Sequence, residues 1–356
     1  MKLERARGTR DFAAGDALLR QQIVSTLREV FELYGYNPLE TPVLERFETL
    51  ASKYAGGEEI MKETFRLKDQ GGRELGLRYD LTVPMCRFIA TNPNLKMPFK
   101  RYQIGEVFRD GPLKTGRYRE FMQCDVDIVG VKSMAADAEM VEITLKVFDK
   151  LKIDVIVRVN NRKLLNAVLT ESGVPIEKIE TVILSLDKLE KADESSVRKE
   201  IIEKGIDQSV VGEIFKYIGK PGGWGGSTEL KLKNMAVLVE GNKEGQEGLV
   251  ELQELLKLVN DKRLIFTEGL ARGLSYYTST VYEVFLKYNE KLKDIKSAIA
   301  AGGRYDKMIG NFIGGGREYP AVGISFGLDI IEDALFLSGR EKKRTTTAVY
   351  VIPIKA

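Results

Sequence analysis

The 356-residue chain contains no histidine. That removes imidazole from the roles it fills near neutral pH: general base, proton shuttle and metal ligand. Any chemistry has to rest on arginine, lysine, tyrosine, serine, carboxylates or a metal held by oxygens. Cysteine is nearly absent as well. Cys86 and Cys124 are the only two. They lie far apart without a CxxC spacing, which argues against a disulfide framework or a zinc site and fits a reducing compartment. No apolar run reaches the length of a membrane span, and the N-terminal "MKLERARGTRDF" has no apolar signal segment. A soluble cytoplasmic protein without membrane contact is expected. A large excess of one charge is missing too. With 55 Lys+Arg against 52 Asp+Glu the formal charge is +3, so nucleic-acid contact would come from a local basic patch, not the whole-chain field.

What is present is an ordinary globular composition, 43% hydrophobic and 30% charged, long enough for two or three domains. Residues 16–34 carry apolar side chains at 19, 23, 27, 30, 31 and 34, a helical spacing with Gly35 as its C-cap. Pro38 and Pro42 mark an extended segment. "ETFRLKDQGGRELGLRYDLT" predicts a hairpin turning at Asp69 to Gly72. "LTVPMCRFIATN" and "AADAEMVEITLKVFDKL" predict helices. "PFKRYQIGEVFRD" and "GRYREFMQCDVDIVG" predict two strands joined by a polar loop. From about 160 to 258 the texture turns to Lys- and Glu-rich helical stretches, interrupted by the loop "GKPGGWGGSTE". Strand signals return in "GLARGLSYYTSTVYEVFL", "SAIAAGGRYDKMIG" and "YPAVGISFGLDII", and the closing "TTTAVYVIPIKA" begins a further strand. Hairpin-linked strands with helices grouped between them predict an α+β antiparallel sheet, not a doubly wound parallel one.

Four stretches carry candidate chemistry. In "REFMQCDVDIVG", alternation sends Met122, Cys124, Val126 and Ile128 to one face and Arg119, Phe121, Gln123, Asp125 and Asp127 to the other. Arg109 and the Arg117/Arg119 pair stand across the intervening loop as a fork for phosphate oxygens, and Phe121 offers a flat face to a base. A solvated sheet face explains the same residues. "LARGLSYYTS" sets Arg272 and Tyr276–Tyr277 where a loop enters a strand, as substrate contacts or as core tyrosines with a surface arginine. "AAGGRYD" places Gly302 and Gly303 in a strand, for close ligand approach or for a bulge. "YDLT" puts Asp80 and Thr82 on one face of a strand end, with a helix N-cap as the competing reading.

In this order the segments resemble the class II aminoacyl-tRNA synthetases and, within them, the histidyl-tRNA synthetases. The resemblance runs from "RGTRDF" through "GLRYDLTVP", "FRDGPLKTGRYREFMQCDVDIVG" and "LARGLSYYTSTVYE" to "AAGGRYDKMIG" and "PAVGISFGLDII". "LRYDLTVP" is more similar to the archaeal and eukaryotic branch than to the bacterial one. The resemblance implies a class II antiparallel sheet flanked by helices, with a mostly helical insertion. It divides the chain into a first catalytic part (1–160), the insertion (161–258), a second catalytic part (259–338), and a linker with the first strand of a truncated anticodon-binding domain (339–356). It implies that Asp80, Leu81, Thr82 and Gln123 hold the α-ammonium end of L-histidine, and that Asp127 and Tyr277 bracket its imidazole with Tyr276 beside them. Gly302, Gly303 and Tyr305 floor the pocket. Phe121 stacks on adenine, Arg109 and Arg117 meet the phosphates, and Arg272 faces Arg109 across the α-phosphate. ATP is the cosubstrate, with Mg2+ carried by it rather than by a protein metal site. The implied partners are the acceptor end of the histidine tRNA, contacted near Lys114 and Thr115, and a second copy in a homodimer through residues 16–45.

The chain departs from the pattern in places. Asp329 holds the acid position of motif 3, but Ile330 stands where arginine is usual. Gly111 stands where many relatives carry glutamate, with Asp110 as the substitute acid. Ser275 replaces an aspartate. The paralogous regulatory subunit of ATP phosphoribosyltransferase, which binds without activating, is the alternative reading.

Overall fold

The structure, a computed structural model, describes residues 3–51, 61–113, 117–190, 192–219, 227–293, 295–314, 316–340 and 345–352. Lys114, Thr115 and most of "GKPGGWGGSTE" lie outside them. Helix α1 (Ala14–Leu33) buries Leu19, Ile23, Leu27, Val30 and Phe31 at the expected spacing. Gly35 stops it at φ 79°, left-handed backbone that glycine adopts without a Cβ clash. The proline-marked segment holds β1 (Asn37–Pro38) and β2 (Leu44–Arg46), and also one helical turn, α2 (Phe47–Leu50), that the sequence reading did not anticipate. The hairpin is β3 (Arg66–Lys68) and β4 (Glu74–Leu77), and α3 (Thr82–Ala90) follows. Next come β5 (Phe99–Phe108), β6 (Glu120–Val129), α4 (Ala135–Leu151) and β7 (Val155–Asn161).

The Lys- and Glu-rich stretch forms α5 (Arg162–Glu171), α6 (Ile179–Leu186), α7 (Glu194–Glu203), α8 (Gln208–Tyr217), α9 (Thr228–Leu238) and α10 (Lys243–Val259). The chain then returns as β8 (Leu264–Phe266), β9 (Thr280–Leu286), β10 (Ala300–Arg304), the unanticipated short helix α11 (Met308–Ile313), β11 (Ala321–Gly327) and α12 (Leu328–Leu337). Residues 345–352 form no strand, and Val349, Tyr350 and Val351 there are exposed.

The eight-stranded sheet runs β1-β5-β6-β11-β10-β9-β7-β8. From β5 to β7 every neighbouring pair is antiparallel. Only β1 and β8, at the edges, run parallel to their neighbours. A parallel pair needs a crossover, and α5 to α10 are the crossover between β7 and β8. A separate three-stranded sheet runs β2-β4-β3. One face of the large sheet packs on α1, α4 and α12, burying Cys124, Val126 and Ile128. That cluster continues without a break into α5 to α10 through residues such as Leu165, Ile214 and Leu252. A smaller cluster, including Tyr79, Met85, Met308 and Tyr305, joins α3 to α11 beside the opposite face. Between α3 and the returning loop before β9, that opposite face stays open.

Candidate active site

The open face holds a cleft of about 760 Å³, within the range of small-molecule sites. Strand register assembles its floor. Arg101 stands opposite Asp127 and Gln103 opposite Asp125 across β5 and β6. Across β6 and β11, Asp127 meets Gly323 and Asp125 meets Ser325. Because side chains alternate, Gln123, Asp125 and Asp127 all reach the floor while Cys124 and Val126 enter the core. Three buried acceptor atoms there, Gln123 Oε1, Asp125 Oδ1 and Asp127 Oδ2, have no hydrogen-bond partner among the described residues. Buried polar atoms are seldom left so, and a row of acceptors suits a ligand rich in N–H groups.

Each floor carboxylate is controlled differently. Asp127 Oδ1 accepts from the Tyr305 hydroxyl. Its Oδ2 lies 2.8 Å from Arg101 Nη2, a counter-charge outside hydrogen-bonding geometry that leaves a lone pair free. Burial raises the Asp127 pKa against the pull of Arg101 and Tyr305. Burial raises Asp125 to about 7 and Asp80 to about 6. Asp80 is not on a strand: β4 ends at Leu77, and Asp80 Oδ1 accepts from Val83 N at 3.0 Å. The capping alternative therefore describes its backbone setting, since the first turn of a helix leaves N–H groups that a carboxylate satisfies. Asp80 and Thr82 line the cleft from that turn, but Leu81 points away and is fully buried.

Arginines occupy the other side. Arg109 donates from Nε to Tyr79 O at 3.1 Å, and its guanidinium lies 5.1 Å from the centre of the Phe121 ring. Burial lowers its pKa against the field of Asp80. Arg117 makes a fork of two 2.7 Å bonds to Glu63. Of the three arginines expected to form a fork, Arg109 and Arg117 line the cleft and Arg119 does not. Arg119 lies ahead of β6, where alternation does not yet apply, and pairs with Asp110 at 3.1 Å. Asp110 is therefore engaged elsewhere, and the acid facing the fork is Glu63, which the sequence reading did not single out. Phe121 is half-buried beside Arg109 and is not part of the cleft lining.

From the loop before β9, Arg272 pairs with Glu283 at 2.5 Å and leaves Nε buried without a hydrogen-bond partner among the described residues. Burial depresses its pKa, but the Glu283 charge outweighs that and the guanidinium stays protonated. Asp187 of the helical module fixes this loop by accepting from Gly273 N at 3.1 Å. The Tyr276 and Tyr277 rings pack tilted at 55° with centres 4.7 Å apart, and Tyr276 meets Tyr305 edge-on at 6.1 Å. The phenol bonded to Asp127 is that of Tyr305. Gly302 and Gly303 line the cleft, but their missing Cβ atoms leave room mainly for protein. A Cβ on Gly302 would strike Gly323 O, and one on Gly303 would strike Thr280 O and the Tyr277 ring. Arg304 of the same motif points the other way and pairs with the fully buried Asp137. Asp329 is bound by Arg10, by Arg20 at 2.7 Å and by Met122 N at 3.0 Å, and Ile330 packs on the core.

Residues missed by sequence reasoning are Arg101, Glu63, Glu283 and Ser325. Arg101 is fully buried, and within the predicted strand "PFKRYQIGEVFRD" nothing local singles it out. Its pairing with Asp127 depends on a partner 26 residues away in the register.

An antiparallel six-strand core edged by parallel strands, with arginines and acceptors on one open face, is the sheet of a class II aminoacyl-tRNA synthetase. The family model described as histidyl-tRNA synthetase matches residues 8–331, and the chain belongs to that family. It is 44% identical over 364 residues to histidine–tRNA ligase 1 of Bacillus cereus, spanning 99% of this chain and 81% of the relative. It is 41% identical over 330 residues to histidine–tRNA ligase of Aeropyrum pernix, spanning 92% of this chain and 73% of the relative. Its structure is similar to the crystal structure of histidyl-tRNA synthetase from Nostoc sp. PCC 7120, with a TM-score of 0.80 and 32% identity, covering 96% of this chain and 77% of the other.

Proposed function

We infer that this chain activates L-histidine with ATP to histidyl-adenylate and transfers the histidyl group to the histidine tRNA. The observation that carries this reading is the row of open acceptors at Gln123, Asp125 and Asp127 facing Arg109 and Arg272. Histidine brings an ammonium and an imidazole N–H to the acceptors, and its carboxylate and the α-phosphate fall between the arginines. Asp80, Thr82 and Gln123 seat the ammonium end. Asp127, held by Arg101 and Tyr305, takes an imidazole N–H, and Tyr276 and Tyr277 wall the ring. A site whose polar groups need partners rejects amino acids that leave them unpaired. Phe121, beside Arg109, supplies the face for adenine.

A chain without histidine needs none for the first step, because the substrate carboxylate is already ionised. It attacks the α-phosphorus in line and pyrophosphate leaves. The protein aligns the reactants and neutralises equatorial charge through Arg109, Arg117 and Arg272. Magnesium carried by the nucleotide phosphates would need few protein ligands and would add charge neutralisation. A terminal ribose hydroxyl of the tRNA then attacks the mixed anhydride and AMP leaves.

The test is histidine-dependent exchange of labelled pyrophosphate into ATP. Arg272→Ala is expected to lower it by roughly 10²–10³, the scale for one lost transition-state donor. Wild-type protein that binds histidine but gives no exchange would favour a binding-only role. We further propose a two-fold homodimer through residues 16–45, supported by exposed Leu33 and Leu44 there. A monomer by sedimentation at micromolar concentration would contradict it. No helix among the described residues is long and apolar enough to cross a membrane, and a cytoplasmic location fits the two free buried thiols. The proposed division places the catalytic core in 1–160 and 259–338, the insertion in 161–258 and an anticodon-domain linker in 339–356.

A further inference from the structure

One carboxylate of the acceptor row has no individual role assigned in the reading above. Asp125 is 3% exposed and lines the cleft between Gln123 and Asp127. Its Oδ1, like Gln123 Oε1, is buried without a hydrogen-bond partner among the described residues. The neighbouring cations hydrogen-bond elsewhere, although the Arg101 charge still pulls the Asp125 pKa down against burial. Arg101 on β5 is ion-paired with Asp127. Arg78, ahead of α3, donates to Thr41 O and Glu106 O. Arg109 donates to Tyr79 O. Gln103, opposite on β5, bonds Thr41. From β11 the Ser325 hydroxyl hydrogen-bonds the Asp125 carboxylate and favours its charged form, while Asp127 and Asp80 add like charge. Burial outweighs Arg101 and Ser325, so the carboxylate resists ionisation, and a further cation in the cleft would favour its charged form.

We propose that Asp125 is the counter-charge for the α-ammonium group of the amino-acid substrate, seating it together with Gln123 Oε1 and the Asp80 carboxylate. The assignment rests on the histidine reading of the cleft. An ammonium carries three N–H donors and no acceptor, and these three side chains offer an acceptor for each. Asp127 is the poorer candidate because Tyr305 and Arg101 already attend its two oxygens. Burial, which holds Asp125 near pH 7 in the free protein, is consistent with a group that ionises as the ammonium enters.

Calorimetric titration with L-histidine, L-histidinol and imidazole-4-propionate separates the possibilities, since the last lacks the ammonium. Asp125→Asn is expected to weaken histidine and histidinol by on the order of ten- to a hundredfold, the range of a hydrogen bond to a charged group. The propionate should bind the variant and the wild type alike. Equal losses for all three ligands, or no loss for any, would overturn the assignment. If Asp125→Asn does not fold, proton release by wild-type protein decides. At pH 7, in buffers of different ionisation enthalpy, histidinol should release more protons than the propionate, and equal release would overturn the proposal. A wild type that fails to bind histidine at all would instead remove the reading of the cleft on which the proposal rests. Histidine binding that is indifferent to Asp125→Asn would remove only the proposal.

Discussion

Arg101 sits where a guanidinium is costly to keep, fully buried beneath the sheet face. Burial lowers its pKa, yet the nearby Asp127 and Asp125 more than restore it, so it stays charged and holds Asp127 in place. Removing one member of a buried pair strands the other. Arg101→Leu is therefore expected to cost about 3–5 kcal/mol by urea unfolding at pH 8. The cost should be smaller at pH 5, where an unpaired Asp127 takes up a proton. The same residue scale governs pH dependence. Burial places Asp80 at about 6 and Asp125 at about 7, whereas aspartate in an unfolded chain titrates near 3.9. Between those values the folded state binds more protons than the unfolded, so these groups stabilise the fold at low pH and lose that contribution as pH rises through 6 and 7. Depressed acids such as Asp193, held below the usual carboxylate range by hydrogen bonds from Ser195 and Ser196, and Glu200, at about 2, are already ionised in that window. With no histidine in the chain, no imidazole masks the effect. The urea midpoint of the free protein should fall from pH 5 to pH 8 and fall less in Asp125→Asn. A midpoint that climbs over that interval would contradict the assignment.

At the scale of elements, β6 was legible because one strand with an apolar face and a polar face has only one way to lie on a core. The strand-end placement of Asp80 was not, since a carboxylate near a helix start has a local hydrogen-bond partner that a strand does not offer. The glycine pair on β10 was legible as a place of close approach, but what approaches Gly303 is the Tyr277 ring and Thr280 O. Gly303→Ala should therefore cost about 1–3 kcal/mol, the usual range for overpacking. It should also raise KM for histidine by displacing Tyr277, which thermal unfolding and initial-rate measurements check together. The loop carrying Arg272 depends on Asp187, which bonds Gly273 N from another element. Asp187→Ala is expected to raise KM for histidine several-fold, consistent with about 1 kcal/mol for one hydrogen bond, with little change in melting temperature. An unfolded variant would show instead that the contact is structural.

At the scale of the whole molecule, the helical module between β7 and β8 shares one continuous apolar cluster with α1, α4 and the sheet. Elements that bury the same surface unfold together. Calorimetry should accordingly show one transition with equal calorimetric and van't Hoff enthalpies, and two resolved transitions would make the module independent. The sequence by itself determined the faces of the strands and helices, the missing imidazole chemistry and the arginine, tyrosine and glycine motifs, because periodicity and composition are local properties. Only the tertiary structure decided which polar residues share the cleft. It set Arg101 behind Asp127, turned Arg119 and Arg304 away, engaged Asp329 with Arg10 and Arg20, and left Asp125 open among occupied neighbours. Those outcomes depend on strand register and on burial shared between distant segments, which determine whether a charge meets a partner, water or neither.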